Sequence, residues 1–137
     1  VYRGLCGYLA TITSSDENNF ITTKVGTNSA WVGAADHGGR TNDLTLCGGW
    51  GEGVWRWVSG PEKCDRFSSP NNPGSEHNVL VDGSYSNWNY GEPNNSGSNE
   101  HVLQLLSGGS GEWNDLPQYW SGWVSGYVVE YSSNYTP

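Results

Sequence analysis

The stretch "NYGEPNNSGSNEH", residues 89–101, together with "WND" at 113–115, decides how this chain is read. It sets Glu92, Asn94 and Glu100 in one segment and Asn114 and Asp115 in another. All five side chains are short and offer oxygen. Three carboxylates and two amides suit a hard cation such as calcium, which takes roughly 6–8 oxygen ligands. Zinc asks for imidazole or thiolate at set spacing, and His37, His77 and His101 do not supply that pattern. Three negative charges against a divalent ion leave the set net negative, which favours the metal.

Pro93 has a physical part in this reading. Proline lowers the penalty for a cis peptide bond, and a cis Glu92–Pro93 bond would turn the Glu92 and Asn94 carbonyls towards one point. The mixture of acids and amides suits a sugar hydroxyl. Such a hydroxyl gives a lone pair to a metal, donates its proton to a carboxylate and accepts from an amide NH₂. Two neighbouring hydroxyls need two acid–amide pairs, which Glu92 with Asn94 and Glu100 with Asn114 offer, while Asp115 closes the metal shell. Singly, "EPNN" reads as a turn and "WND" as a strand end, since Pro, Asn and Gly dominate turns. In this combination they point to one shared site.

The bulk properties narrow the setting. The chain has 137 residues, which suits one domain with one core. A formal charge of −8 with six Lys plus Arg argues against nucleic acid and against anionic membrane surfaces. No apolar run approaches the roughly 20 residues that span a bilayer. No leader is recognisable, so a secreted protein is expected to have lost it. Twenty Gly, eight Trp, eight Tyr and no Met, with many Asn and Ser, suit an extracellular, loop-rich domain whose aromatics fill the core. The three cysteines, Cys6, Cys47 and Cys64, allow at most one internal bridge.

Along the chain, "TSSDENNFITTKVG" (13–26) predicts a helix. Ser14 caps it, Glu17 completes a capping box, Phe20, Ile21 and Val25 share one side, and Gly26 stops it. "GYLATI" (7–12) is a short apolar lead-in, and "SAWVGAAD" (29–36) and "VWRWVSG" (54–60) predict strands, the second with Trp55 and Trp57 on one face. Residues 61–100, with Pro61, Pro70, Pro73 and Pro93, predict almost no regular structure. Such a long irregular stretch is either a warning that elements have been missed or the sign of a functional loop. "HVLQLL" (101–106), "GEWND" (111–115) and "GYVVEY" (126–131) predict three further strands. The fold class is α+β: an early helix, small antiparallel sheets and one long irregular loop, with no internal repeat.

With these residues in view, the chain resembles the C-type lectin-like domains over nearly its whole length. "GYLATITSSDENNFI" looks like that family's second-helix entry, "WVGAAD" like its "WIG" strand, "VWRWVSG" like its "WxW" element and "GYVVEY" like its last strand. "EPN", Glu100 eight residues after Glu92, and "WND" look like its principal calcium and sugar site. The resemblance implies that Glu92, Asn94, Glu100, Asn114 and Asp115 bind both Ca²⁺ and carbohydrate. "EPN" is the family's mannose-type signature, where galactose-type members carry "QPD".

The departures from the family matter too. The positions of two family cysteines fall at His101-Val102 and at Val129, so those bridges are absent. Cys47 and Cys64 lie elsewhere, flank the "WRW" strand and are expected to be joined. The alternative is three free thiols. Asn95 and His101 stand where a second calcium would need acids. Residues 1–137 are read as one such domain that starts near the end of the family's first helix, without its first strand.

His101 beside Glu100, and Glu112 with Asp115, lack the nucleophile, pocket and separation that catalysis asks for, so no enzyme is expected. Trp31, Trp55, Trp57 and Trp113 are expected in the core, whereas Trp88, Trp120 and Trp123 lie in loops where an aromatic face can stack on a sugar. Asn94-Asn95-Ser96 and Asn134-Tyr135-Thr136 match the glycosylation sequon; a glycan on Asn94 would block the metal. The expected function is calcium-dependent, mannose-type carbohydrate binding in extracellular recognition or adhesion. Its partners would be glycans or glycoproteins, met through several copies on one surface. The alternative is a structural, protein-binding or ice-binding domain on the same fold, with calcium only stiffening the loop.

Overall fold

The computed structural model describes residues 2–36, 47, 51–70, 78–81 and 83–135. Ser14 starts the helix α1 (Ser15–Val25) as the sequence predicts, its hydroxyl accepting the Glu17 N–H at 3.2 Å. The Glu17 carboxylate reaches back to Thr13, taking its N–H at 2.7 Å and its hydroxyl at 3.0 Å. Gly26, at φ 67°, ends the helix by donating its N–H to Thr22 O. Ile21 is buried and Val25 packs on the core, but Phe20 is 63% exposed and lies beneath the Lys24 ammonium instead of facing inward. The buried polar residue of the helix is Asn18.

A two-stranded sheet pairs β1 (Cys6–Leu9) antiparallel with β9 (Val129–Ser132). A larger sheet follows the order β5-β4-β3-β2-β6-β7, with β8 beside β2. Its strands are β2 (Ala30–Ala35), β3 (Trp55–Trp57), β4 (Arg66–Pro70), β5 (Asn78–Leu80), β6 (Val102–Leu105), β7 (Trp113–Leu116) and β8 (Gly126–Tyr127). All pairs are antiparallel except β2 with β8.

Two sequence expectations need correction here. Residues 61–100 are not without pattern, because β4 and β5 extend the sheet beyond β3. Pro70 sits at the end of β4, where a missing N–H costs the ladder least. The run "GYVVEY" is two strands and not one. At Val128 the N–H goes to Trp31 O, while the carbonyl takes the Ala10 N–H, so the chain passes from one sheet to the other.

The core is aromatic. Trp57 stacks on Phe67 at 4.5 Å, and Trp113 sits edge-on to Trp57, Phe67, Tyr85 and Trp88. Ala10, Ile12, Ile21, Val32, Ala34, Leu103 and Leu105 fill the space around them. Trp55, Trp57 and Trp113 are buried as expected. Trp31 is only partly buried and lines an open groove with Leu9, Val58 and Tyr127. Trp88 is no exposed platform either, since it packs on Trp55 at 4.8 Å. Cys47 and Cys64 form a disulfide, with their Cα atoms 5.0 Å apart, and Cys6 is free. No helix among the described residues is long and apolar enough to cross a membrane.

Candidate metal and sugar site

Trp113 is the anchor from which the site is built. Its ring is fully buried, and its indole N–H donates to Asn18 Oδ1 at 2.9 Å. The backbone of residues 87–92 runs beside it: the Trp113 N–H goes to Asn87 O, and the Asn89 N–H to Trp113 O. Strand β7 therefore presents Asn114 and Asp115 from a rigid base, opposite Gln104 and Leu103 of β6.

Asp115 joins the two halves of the sequence pattern. It is 1% exposed, and its carboxylate accepts the Asn94 N–H at 3.0 Å on one oxygen and the Asn95 N–H at 2.8 Å on the other. The peptide bond between Glu92 and Pro93 is cis. Across it, the Asn94 amide donates to Glu92 Oε1 at 2.9 Å. Glu100 is also buried, with its carboxylate accepting the Ser96 N–H at 2.8 Å and its own N–H donating to Asn95 Oδ1 at 3.1 Å. Asn114 stands on the strand, its amide donating to Gln104 Oε1 at 3.2 Å. Glu100 and Asn114 make no direct hydrogen bond to each other. Gln104 in turn donates to Trp123 O at 3.1 Å.

Two acceptors in this group lie buried with no hydrogen-bond partner: Glu92 Oε2 and Asn94 Oδ1. A buried acceptor without a donor costs about 1–3 kcal/mol, so a cation at this point would relieve both. The electrostatics agree with that need. Burial, then the adjacent Asp115 carboxylate, pushes Glu92 up to about 7 against the pull of the Asn94 amide. Burial raises Glu100 as well; the Ser96 N–H opposes the rise and Asp115 adds to it. The donor set, carboxylate and amide oxygen without sulfur or imidazole, is that of a hard cation such as calcium.

Trp120 and Trp123 are 48% and 69% exposed, with ring centroids 5.8 Å apart. A further ligating group lies at the end of β2, where Asp36, Glu52 and His101 each bring one ligand atom within 4.8 Å of the others. Burial pushes Asp36 up to about 6, and burial followed by Asp36 pushes Glu52 up to about 7. The sequence reading missed this cluster because its members are scattered with no motif spacing. His37 and His77 lie outside the described residues.

Known proteins place the fold. Over 93 residues the chain is 37% identical to halomucin of Haloquadratum walsbyi (strain DSM 16790 / HBSQ001), covering 68% of this chain. It is 31% identical over 122 residues to the mouse low affinity immunoglobulin epsilon Fc receptor, covering 88% of this chain. It is 31% identical over 116 residues to a perlucin-like protein of Mytilus galloprovincialis, covering 80% of this chain. The chain spans only 1%, 27% and 53% of these three relatives' own lengths. Among solved structures, the C-type lectin CEL-I from Cucumaria echinata superposes with a TM-score of 0.57 at 17% identity, covering 93% of this chain and 70% of that one. No family model matches the chain. The chain belongs to the C-type lectin-like domains, and its α+β architecture is theirs.

Proposed function

We propose that this domain binds carbohydrate through a calcium ion held by Glu92, Asn94, Glu100, Asn114 and Asp115, outside the cell and without catalysis. The observation that carries the reading is the pair of orphaned buried acceptors, Glu92 Oε2 and Asn94 Oδ1, on the two sides of Pro93. Bound calcium would offer the place where lone pairs of two neighbouring sugar hydroxyls are accepted. The chain's own residues do the rest. Asp115 pins the loop to β7. Each of the Asn94 and Asn114 amides uses one proton within the protein, on Glu92 and Gln104, and keeps a second for a hydroxyl oxygen. Glu92 and Glu100 accept the hydroxyl protons.

The order of acid and amide across Pro93 sets which hydroxyl geometry fits. The mannose-type order Glu92, Asn94 suits vicinal equatorial hydroxyls, as in mannose, fucose, glucose or N-acetylglucosamine. A single site of this kind is shallow, so useful avidity comes from several copies on one surface. Calcium titration by calorimetry tests the metal half of the reading. One ion per chain is expected at about 10⁻⁴–10⁻³ M, the range of extracellular calcium modules, and Glu100→Ala should remove it. Absence of calcium heat, or full calcium binding by Glu100→Ala, would count against this ligand set.

A further inference from the structure

We propose that Trp120 and Trp123 form an aromatic subsite beside the calcium set, which takes the second saccharide unit of an oligosaccharide whose first unit lies on the ion. The inference rests on the sugar-binding reading above. Trp55, Trp57 and Trp113 are buried, whereas Trp120 and Trp123 stand exposed in one short segment after β7. Large apolar groups gathered at the surface mark a binding face. The backbone beneath them is fastened. Trp123 closes a single 3-10 turn (Ser121–Trp123), its N–H donating to Trp120 O at 3.2 Å, and the Trp120 N–H donates to Pro117 O at 3.0 Å. Two side chains from the sheet region, both 5% exposed, donate to Trp123 O: Gln104 Nε2 at 3.1 Å and Ser29 Oγ at 2.9 Å. The Ser125 N–H returns to Ser29 O at 3.1 Å. The chain is thus held on both sides of Trp123 while the indole itself faces solvent.

Gln104 links this platform to the proposed calcium ligands. Its amide oxygen accepts from Asn114 Nδ2 at 3.2 Å, and its amide nitrogen donates to Trp123 O. One buried side-chain amide therefore separates Asn114 from the Trp123 backbone, a gap on the order of one saccharide unit. The chemistry on the two sides of that gap is complementary. A pyranose carries hydroxyls at its edge and C–H groups on its face. The ion and its acids and amides engage the edge of one unit, and an electron-rich indole face suits the C–H face of the next. The two ring centroids lie 5.8 Å apart with the planes tilted by 33°, so each indole restricts the other and less rotamer freedom is lost on binding. A Cβ added at Gly122, between them in the chain, would meet nothing within 4 Å, so the approach is open. The formal charge of −8 favours a neutral glycan over an acidic one.

The other occupant of such a patch is a second copy of this chain, and the same experiment separates the two. The probes are free mannose and mannobiose in its α1,2, α1,3 and α1,6 linkages, titrated by calorimetry in saturating calcium. At least one mannobiose should bind roughly fourfold to tenfold tighter than mannose, the size of one aromatic contact. In Trp123→Ala that ratio should fall to about two or less, the statistical value for two equivalent units, and Trp123→Phe, which keeps an aromatic face, should retain most of it. Trp120→Ala should lower the ratio in part, as an independent variant. Calcium affinity and melting temperature of each variant report whether Gln104 and Asn114 are still in place. A ratio of about two or less for all three disaccharides, or one unmoved by both alanine variants, overturns the subsite and leaves the calcium site standing. Absence of mannose binding in calcium overturns the reading on which the subsite rests, and the subsite with it. A dimer in sedimentation that Trp123→Ala dissolves assigns the patch to self-association and likewise overturns the subsite.

Discussion

At the scale of single residues, Asn18 shows how a polar side chain can organise an aromatic core. It is buried on α1, donates to Gly111 O at 3.0 Å and accepts the Trp113 indole N–H. In Asn18→Ala, Gly111 O keeps its bond from the Asn87 amide, but the indole N–H loses its acceptor. Leaving that donor unpaired should cost about 1–3 kcal/mol, read as a lower denaturation midpoint with an unchanged slope. A second residue-scale prediction concerns Glu130, whose carboxylate accepts the Thr11 N–H at 3.0 Å while Glu62 takes the Thr11 hydroxyl at 2.8 Å. Burial raises the Glu130 carboxyl above its ordinary 4.5; the Thr11 N–H opposes the rise, and Glu17 and Glu62 add to it. In the window above 4.5 the folded state therefore holds a proton that the unfolded state has released. Stability from this group is present at lower pH and lost as pH rises through the raised value. Melting temperatures across that window should fall less steeply in Glu130→Gln than in the parent.

At the scale of elements, Gly33 sits where β2 passes β1 and the segment after β3. Its N–H reaches Ala10 O at 2.7 Å, and an added Cβ would stand 2.7 Å from both Leu9 O and Ser59 Oγ. Gly33→Ala should cost about 1–3 kcal/mol, the usual range for overpacking; an unchanged midpoint would mean that the strands part without loss. Elements with a strong local signal were legible in the sequence. The α1 caps, the "WVGAAD" strand and the alternating "WRW" strand each show in a few adjacent residues, and β6 and β7 lie in short strand candidates set apart by Gly and Ser. The strands β4 and β5 were hidden, because Ser and Pro carry little apolar alternation and the pairing partner supplies the order. Trp88 and Phe20 were misplaced for a related reason. Local sequence gives a residue's position in a loop or helix, but burial depends on what arrives from elsewhere, here Trp55 and Trp113 against Trp88. The oxygen-bearing residues of the candidate site could be named beforehand because two short segments hold all five. Asp36, Glu52 and His101 could not, since only the fold gathers them.

At the largest scale, an aromatic core carries the 89–101 segment and its carboxylates. Glu92, Glu100 and Asp115 bring three carboxylates into one neighbourhood, with Glu92 facing Asp115. Removing calcium should loosen the loop around residues 89–101, and limited proteolysis with chelator should cut there first; an unchanged digestion pattern would mean that the loop is held by its protein contacts alone. Under the proposed function, calcium, Glu92 and Asn94 together read sugar geometry. The measurement that tests it most directly is competition of a multivalent mannose ligand by free mannose and free galactose, in calcium and in chelator. Exchanging the acid and the amide, Glu92→Gln with Asn94→Asp, keeps the ligand count and the charge while reversing donor and acceptor around one hydroxyl. Mannose should inhibit well and galactose poorly, chelator should abolish binding, and the exchanged protein should keep calcium while losing its preference for mannose. Equal inhibition by the two sugars, or inhibition by neither at roughly tens of millimolar, the weak end of measurable affinity, would contradict the account.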